Sequence, residues 1–424
     1  MLDLKYIREN IDEVKENCHY RLADVDIDRL VSLDEQRRNL QQELDAQRSQ
    51  RNAWSKQKPT PEQVADIKAN NEAIKQGEDN LAKIIEQLDS LLLAVPNQTD
   101  AAVIRSLNEE DNPVLEEHGQ PVELAFTPKD HLALAEQWQW LDFERAAKVT
   151  GSKFYYTSND LVWLELALIQ YTLSVIAKHG FQVMTTPDLA KTSIIERLGY
   201  NPRGESTQIY NIANDDLSLI GTAEITLGGY HQGEILKGEQ LPLRYAALSQ
   251  CFRTEAGSYS KFAKGIFRVH QFNKVEMFVY CRPEDSAQEH QLLLAIEKEI
   301  FSGLEIPFRV IDHCTADLGA PAARTFDLEA WLPGKPNQDG QAGDWAEITS
   351  VSNCTDYQAR GLDIKYQAAD GQKGLVHTLN GTGLALTRAM IAIVENHQQA
   401  DGRIKLPAIL KSFIPVDLSS MFFA

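Results

Sequence analysis

Apolar residues recur at helical spacing early in the chain. Residues 27–57 and 61–94 are predicted to form two long helices joined by the breaker segment QKPTPEQ. Each helix carries an apolar seam, which includes Leu33 in the first and Leu88 in the second, and each seam becomes polar toward the shared turn. This change from apolar to polar predicts an antiparallel coiled-coil hairpin whose base packs against other residues and whose tip is exposed to solvent.

The tip of this predicted hairpin is basic. Between residues 46 and 58 the chain has no acidic residue, but it has four cations and an aromatic side chain, Trp54. The four cations are Arg48, Arg51, Lys56 and Lys58. Such a run is often only the solvated face of a coiled coil. Because an aromatic group among cations also suits a surface that follows phosphates, both interpretations stay open here.

The pattern changes after Val95-Pro96-Asn97, where polar, turn-rich sequence leads into a second region. We therefore divide the chain into domains 1–105 and 106–424. The second domain contains an amphipathic helix at 161–179 and later segments of period-two alternation such as FRVHQFNKVEMFVY and WAEITSVSN. Helical segments separate these strands, and no GxGxxG or Walker lysine loop is present. The predicted fold class is α+β, with an N-terminal antiparallel helical hairpin and an antiparallel β-sheet domain flanked by helices.

Bulk composition narrows the function classes. The chain of 424 residues has a formal net charge of −19, which argues against a generally basic nucleic-acid-binding surface. Its five cysteines are scattered, with no CxxC pair and no histidine at zinc-ligand spacing, so we expect reduced thiols. The N-terminus has no secretory pattern, and no run approaches the ~18 apolar residues of a membrane span. We expect a cytoplasmic protein that does not enter membranes.

Four stretches place charged or hydroxyl groups where a structural element would be apolar. LIGTAEITL has Thr222 and Glu224 two residues apart, which would share one face of an extended segment. WAEITSVSN is expected to bury Glu347, and TGLALTR brings Arg388 one turn into a helix. The fourth, FRVHQFNKVEMF, is expected to be a strand with charged and aromatic groups on one face. Together they predict a polyanion site, whereas each alone could be a wet sheet face or a surface charge.

The order of these motifs resembles a known family. FRTEAG…RVHQFNKVE and TGLALTR resemble motifs 2 and 3 of the class II aminoacyl-tRNA synthetases. TAE, EITSVSNCTDYQAR, LNGTGLA and the N-terminal hairpin together resemble the seryl-tRNA synthetases, and the resemblance runs through the whole chain. It implies an ATP-dependent ligase that forms seryl-adenylate from L-serine and transfers the seryl group to tRNA(Ser). It also implies a homodimer through the helix at 161–179, and it leaves open whether tRNA(Sec) is a substrate.

The resemblance also implies residue roles. Arg253, on the α-phosphate, and Arg388, on the outer phosphates, would be catalytic. The ATP-binding residues would be Arg253, Thr254, Glu255, Val269, Phe272, Glu347, Ile348, Thr349, Ser350 and Arg388. Serine would be bound by Thr222, Ala223, Glu224, Arg253, Glu276 and Thr382. Glu347 and Ser350 would hold Mg²⁺, and no zinc is expected. The tRNA would meet Arg48, Arg51, Lys56, Lys58, Lys261 and Lys264.

Two alternative functions are activation of an amino acid for a non-tRNA acceptor and non-catalytic RNA binding. A relative that activates an amino acid for a non-tRNA acceptor would generally lack the long arm, which is present here. A non-catalytic RNA-binding dimer should have lost motif residues such as Arg253, Glu224 or Arg388, and these are retained. Cys354 and His270 lie near the motifs but are not expected to act as nucleophile and base. The motif 2 loop, GSYSKFAKG, has lysines where the family more often has arginines, which bears on the transfer step.

Overall fold

The computed structural model describes residues 1–55, 60–121, 123–200, 208–256 and 263–415. Contacts between Cα atoms divide the chain into two compact units, Met1–Gln98 and Thr99–Ala424. From the sequence we placed this boundary between residues 105 and 106. Three of the proposed tRNA-binding lysines, Lys56, Lys58 and Lys261, lie outside the described residues.

The first unit is helical. Its helices are α1 (Leu4–Glu9), α2 (Ile11–Tyr20), α3 (Ile27–Trp54) and α4 (Pro61–Ala94). The long pair runs antiparallel, because Arg29 donates to Gln87 and Arg48 donates to Glu78 across the two helices. A reciprocal cap between Thr60 and Gln63 starts α4. The predicted helical hairpin is confirmed.

Leucines hold the two long helices together near their base. Leu30, Leu33 and Leu44 of α3 are buried, as are Ile74 and Leu88 of α4. Further toward the turn Arg51 is exposed, whereas Arg48 and Trp54 are half-buried. The seam is therefore apolar at the base and polar at the tip, as its spacing predicts.

The second unit is built on one large sheet. Its helices are α5 (His131–Trp138), α6 (Phe143–Val149), α7 (Asp160–Lys178), α8 (Thr192–Arg197), α9 (Glu224–Gly228), α10 (Ser286–Gly303), α11 (Tyr357–Leu362) and α12 (Leu386–Asn396). Its strands are β1 (Val114–His118), β2 (Leu141–Asp142), β3 (Tyr156–Thr157), β4 (Gln182–Thr185), β5 (Leu189–Lys191), β6 (Leu217–Leu219), β7 (Ile235–Lys237), β8 (Leu243–Phe252), β9 (Gln271–Cys281), β10 (Phe308–Asp312), β11 (Arg324–Pro336), β12 (Ala342–Asn353), β13 (Lys365–Gln367), β14 (Lys373–Leu375) and β15 (His377–Ala385).

Eight of these strands form the sheet, in the order β1-β10-β11-β12-β15-β9-β8-β4. All neighbouring pairs are antiparallel except β4 with β8. The sheet is mostly antiparallel because its strands follow hairpin-like connections, and this confirms the predicted fold class.

Side chains of β9 alternate between the two faces of the sheet, and each face packs against a different apolar cluster. Val275 and Met277 join the main core, to which α7, α10 and α12 contribute their apolar sides. Phe278 and Tyr280 point the other way, into a second apolar cluster with residues of α8 and α11. Because side chains alternate along a strand, Phe272 and Glu276 share the second face. The part of this face that carries Phe272 and Glu276 lines a cavity.

One helix in the described part of the chain, Asp160–Lys178, is long and apolar enough to cross a membrane by length and composition. Half of its apolar window is buried inside the protein. That burial is typical of a core helix, and α7 packs beneath the sheet in this way.

Candidate active site

A cavity of about 490 Å³ lies on the second face of the sheet. It is lined by most of the side chains expected to bind ATP or serine. These are Thr222, Glu224, Arg253, Glu255, Val269, Phe272, Glu276, Glu347, Ile348, Thr349, Ser350, Thr382 and Arg388. Ala223 and Thr254 are not among the lining residues. Segments far apart in the sequence thus meet in one concave polar site, which is the usual form of a substrate pocket.

The strand that was predicted at 267–278 begins later, at Gln271. Residues 263–270 form a connection instead, so the predicted alternation of Phe267, Arg268, Val269 and His270 is wrong. The reason is that His270 turns its ring back onto the carbonyl of Arg253, with Nδ1 at 2.9 Å. From Gln271 onward the alternation is correct, and it carries Phe272, Lys274 and Glu276 into the cavity.

An irregularity in β12 brings Glu347 and Ser350 together. Leu328 pairs with Thr349 while the next residue of β11, Glu329, pairs with Glu347, so Ile348 is an extra residue in the ladder. In a regular strand residues three apart point to opposite faces, whereas a bulge restores them to the same face. Thr349 turns away, and its hydroxyl donates to Glu297 of α10 at 2.9 Å.

Glu347 pairs with Arg388. Arg388 Nη1 donates to Glu347 Oε1 at 2.7 Å and to the Glu347 carbonyl at 3.0 Å. The expectation that Glu347 is buried is wrong, because 48% of its side chain is exposed in the cavity. Enclosure by the protein raises the pKa of Glu347, but the nearby positive charges, with Arg388 first among them, outweigh it and the pKa is lowered. Glu347 is therefore a carboxylate at neutral pH.

Arginine and aromatic groups are stacked in two places at the site. The Arg253 guanidinium lies 5.5 Å from the ring centre of Phe272, and Arg388 lies 4.9 Å from that of Phe267. Arg253 is further held by its Nε, which donates to the carbonyl of Gly221 at 3.2 Å. Arg253 is thus oriented by neutral groups, which leaves its charge available to an anion, whereas Arg388 is held by both Phe267 and the Glu347 carboxylate.

Glu255, two residues after Arg253, has a strained backbone conformation. Its φ is +54, in the left-handed region that side chains other than glycine seldom adopt. Its carboxylate accepts from Arg268 Nη1 at 2.8 Å. Arg268 therefore makes an ion pair at the edge of the cavity.

Glu276 and Thr382 face each other on adjacent strands. They are directly paired between β9 and β15, and the next pair joins Val275 to Leu384, so Gly383 is an extra residue. Lys274 forms an ion pair with Glu276, and its Nζ lies 3.5 Å from the Thr382 hydroxyl. A carboxylate, an ammonium and a hydroxyl therefore lie within reach of one small ligand.

Glu224 does not lie on an extended segment, as its spacing from Thr222 had suggested. It begins helix α9, and its backbone N–H donates to the Thr222 hydroxyl at 3.2 Å. Its carboxylate is nevertheless buried in the cavity wall with only 5% of the residue exposed. Burial, reinforced by the neighbouring Glu276, raises the pKa of Glu224.

Three side chains that sequence reasoning missed hold this carboxylate. Tyr200 donates to Oε2 at 2.5 Å, while Gln358 and Asn380 donate to Oε1 at 2.7 and 3.0 Å. Asn380 could have been found, since it stands two residues before Thr382 in LNGTG. Tyr200 and Gln358 had no comparable signal, because nothing local relates them to Glu224.

The described residues expected to meet tRNA belong to both units. Arg48 and Arg51 lie on α3, where Arg48 forms an ion pair with Glu78 of α4 at 2.8 Å. Lys264 lies just before the end of the motif 2 connection and pairs with Asp130. Of the groups not expected to react, Cys354 is buried, and the His270 ring contacts the Arg253 carbonyl.

Oxygen donors suited to a hard cation lie at one edge of the cavity. Glu347 and Ser350 present a carboxylate and a hydroxyl there, and Asp327 of β11 pairs with Ser350 in the ladder. Among the described residues no three His, Cys, Asp or Glu side chains gather as a metal-binding group. The donor set fits Mg²⁺ that is bound mainly through a phosphate ligand and water, since this ion needs few protein oxygens.

Behind this edge His313 bridges two carboxylates. Its Nε2 lies 2.9 Å from Asp327 and its Nδ1 lies 3.3 Å from Asp317. Burial lowers the pKa of His313, but the Asp327 carboxylate outweighs this effect and the pKa rises to about 9. A positive imidazolium therefore lies behind the oxygen donors at neutral pH.

Comparison with known proteins identifies the family of this chain. The family model of the seryl-tRNA synthetase N-terminal domain matches residues 1–99, and that of the class II core domain of tRNA synthetases (G, H, P, S and T) matches residues 208–397. The serine–tRNA ligase of Treponema denticola is 47% identical over 98% of this chain and 99% of its own. That of Dictyoglomus turgidum is 46% identical over 98% of both chains.

Solved structures give the same result. The crystal structure of seryl-tRNA synthetase from Pyrococcus horikoshii complexed with ATP has a TM-score of 0.85 and 36% identity, covering 98% of this chain and all of that one. The cytoplasmic serine–tRNA ligase of Naegleria fowleri in complex with AMP has a TM-score of 0.84 and 30% identity over 97% of each chain. The chain belongs to the seryl-tRNA synthetase family.

Proposed function

We propose that this chain activates L-serine with ATP to form seryl-adenylate and then transfers the seryl group to tRNA(Ser). The observation that carries the proposal is the single cavity in which Arg253 and Arg388, both oriented by neighbouring groups, lie with the carboxylates Glu224 and Glu276. The cations suit the phosphates of ATP, and the carboxylates suit the ammonium and hydroxyl groups of serine.

In the first step the serine carboxylate attacks the α-phosphorus, the bond between the α- and β-phosphates breaks, and pyrophosphate leaves. Negative charge grows on the phosphate oxygens, and Arg253 is proposed to neutralise it on the α-phosphate. Arg388 would hold the departing pyrophosphate. No protein nucleophile is needed, because positioning and charge neutralisation supply the rate.

Adenine would stack on Phe272, beside the backbone of Val269, with Glu255 at its edge. Glu347 and Ser350 would hold Mg²⁺, with Ile348 and Thr349 setting their positions. The ion would supply neutralisation of the phosphate charge. Phe272 and Arg253 already face each other at 5.5 Å, which supports placing base and α-phosphate near one another.

Serine would be selected by its hydroxyl. Glu276 and Thr382, opposite each other on β9 and β15, are proposed to bond it, with Thr222 in the cavity wall beside Glu224 and Ala223 buried between them in the chain. Alanine would leave these buried polar groups unpaired, which costs far more than a lost contact. The site is thus expected to reject alanine by its own polar groups.

The transfer step involves further partners. The helical arm, through Arg48, Arg51, Lys56 and Lys58, and the motif 2 loop, through Lys261 and Lys264, are proposed to contact tRNA(Ser) phosphates. A homodimer is proposed through α7 and β4, where the apolar side chains of Trp163, Leu166 and Val183 are exposed. We further propose that the enzyme works in the cytoplasm.

Two coupled assays test the function. Serine-dependent exchange of pyrophosphate into ATP reports activation, and charging of tRNA(Ser) reports transfer. We expect both, with alanine and threonine giving far less exchange than serine. Exchange without charging would favour activation for a non-tRNA acceptor, and absence of exchange with every amino acid would favour a non-catalytic RNA-binding protein.

A further inference from the structure

A chain of buried hydrogen bonds runs from β15 to the carboxylate of Glu224. The Thr378 hydroxyl donates to Gln358 Oε1 at 2.7 Å, and Gln358 Nε2 donates to Glu224 Oε1 at 2.7 Å. Gln358 and Thr378 are completely buried, and Glu224 is 5% exposed. Because Gln358 and Thr378 are closed to water, their side chains must satisfy their hydrogen bonds within the protein.

The direction of the Gln358 amide is determined by its surroundings. On one side its Nε2 meets two acceptors, Glu224 Oε1 and the Leu198 carbonyl, the latter at 3.4 Å. On the other side its Oε1 meets the Thr378 hydroxyl. A flipped amide would turn its oxygen toward the carboxylate and the carbonyl, where like partial charges repel. The amide therefore presents its donors to Glu224.

This amide sets the position of the Glu224 carboxylate. Tyr200 holds Oε2 from one side, while Gln358 and Asn380 hold Oε1 from the other. Asn380 and Tyr200 line the cavity, whereas Gln358 is not among its lining residues. Gln358 thus touches the carboxylate from behind, where no ligand in the cavity would reach it.

We propose that Gln358, oriented by Thr378, is a positioning residue that holds Glu224 in place to receive the amino-acid substrate. This inference rests on the proposed function, since it assigns Glu224 to serine. It predicts that Gln358 acts on serine and leaves ATP unaffected, because its contacts lead to Glu224 and not to Arg253, Arg388 or Glu347.

The sharpest test is Gln358→Glu, which keeps the shape of the side chain. A carboxyl group at this position donates to Glu224 only while it carries a proton. Once that proton is lost, two carboxylates face each other beside Glu276, with Lys274, Arg253 and the Tyr200 hydroxyl as the other charged or titratable groups nearby. Relative to wild type, kcat/KM for serine in pyrophosphate exchange should fall about tenfold or more between pH 6 and pH 9.

Gln358→Leu removes the donor at every pH. We expect KM for serine to rise about tenfold or more, with KM for ATP changed by less than about twofold. Thr378→Val keeps Gln358 but removes the group that orients it, and should raise KM for serine about fivefold. This second site keeps the proposal testable if the Gln358 variants do not fold, as judged by circular dichroism and thermal melting.

Gln398→Glu is the matched control. Gln398 is also buried, but it bonds the carbonyls of Lys129 and Glu395 and not the cavity. Its variant should keep the pH profile of the wild type. A Gln358→Glu profile parallel to wild type together with equal rises in KM for serine and ATP in Gln358→Leu and Thr378→Val would overturn the positioning role while leaving the proposed function intact. Absence of serine-dependent exchange in the wild type would overturn both.

Discussion

Arg388 of α12 and Glu347 of β12 form an ion pair in the wall of the cavity, with Nη1 and Oε1 2.7 Å apart. The same Nη1 also binds the Glu347 carbonyl, so the guanidinium is fixed against both the side chain and the backbone of β12. A cation held in this way loses little further freedom when it meets a phosphate. The ion pair thus fixes the Arg388 guanidinium where it can bind a polyanion and the Glu347 carboxylate where it can bind a cation.

Replacing Arg388 should remove activation without unfolding the protein. We expect Arg388→Ala to lower the rate of pyrophosphate exchange by about 100-fold or more, and Arg388→Lys by about tenfold, since lysine keeps the charge but not the fork of donors. Arg403→Ala is the control, because Arg403 is exposed and pairs only locally with Asp401. Exchange rates and melting temperatures measure the two effects. Near-normal exchange in Arg388→Ala would show that the phosphate role is misassigned.

The arm can be shortened without disturbing its base. A Cβ on Gly77 would lie 2.7 Å from Leu44 Cδ2, so these residues meet across the hairpin. Removing residues 45–76 and joining Leu44 to Gly77 by a short Gly-Ser loop should abolish charging of tRNA(Ser) because the basic tip is lost. Pyrophosphate exchange should stay within about twofold of wild type, because the cavity is formed by Thr99–Ala424 residues.

A parallel loss of exchange and charging in the shortened protein would instead identify the arm as an element that the fold requires. As a matched control, the deletion can be compared with Arg51→Ala and Arg48→Ala, which leave both helices in place. These should weaken tRNA binding and reduce its salt dependence, and they should not change exchange.

The His313–Asp327 pair predicts a pH dependence of stability. The pKa of His313 is about 9, above the ordinary 6.5 of histidine, so His313 binds a proton more tightly in the folded protein than in the unfolded chain. This stabilisation, about 3 kcal/mol, is complete below pH 6.5 and is lost as pH rises through about 9. His313→Asn should therefore be much less stable than wild type at pH 6 and closer to it at pH 9.5, as measured by urea unfolding. A difference that does not vary with pH would contradict the ion pair.

Gly361 should be intolerant of a side chain. A Cβ there would lie 2.4 Å from the carbonyl oxygen of Arg197, so α11 would have to move away from α8. We expect Gly361→Ala to cost about 2 kcal/mol of stability and to raise KM for serine, because α11 carries Gln358. Gly77→Ala is the comparison, since its new Cβ would meet side-chain atoms of Leu44 and Leu40 and no backbone atom, and alanine favours a helix by about 1 kcal/mol. Urea unfolding should separate the two variants, and equal losses of stability would refute the argument.

Local sequence patterns were enough to predict the helical hairpin and the side of the site that β9 supplies. The apolar seams of α3 and α4 predict their pairing, because helical periodicity depends only on neighbouring turns. Period-two alternation likewise places Phe272, Lys274 and Glu276 on one face of β9. These features followed from the sequence since backbone geometry alone produces them.

Only the tertiary structure decided which groups meet. The spacing of three between Glu347 and Ser350 predicts that they point to opposite faces, but the bulge at Ile348 brings them to one face. The sequence does not show this bulge, because a bulge depends on the register of β12 against β11. Glu224 and Gln358 are 134 residues apart, and they touch because α9 and α11 pack on the same face of the sheet. Contacts of this kind are set by packing between distant segments, which no local periodicity encodes.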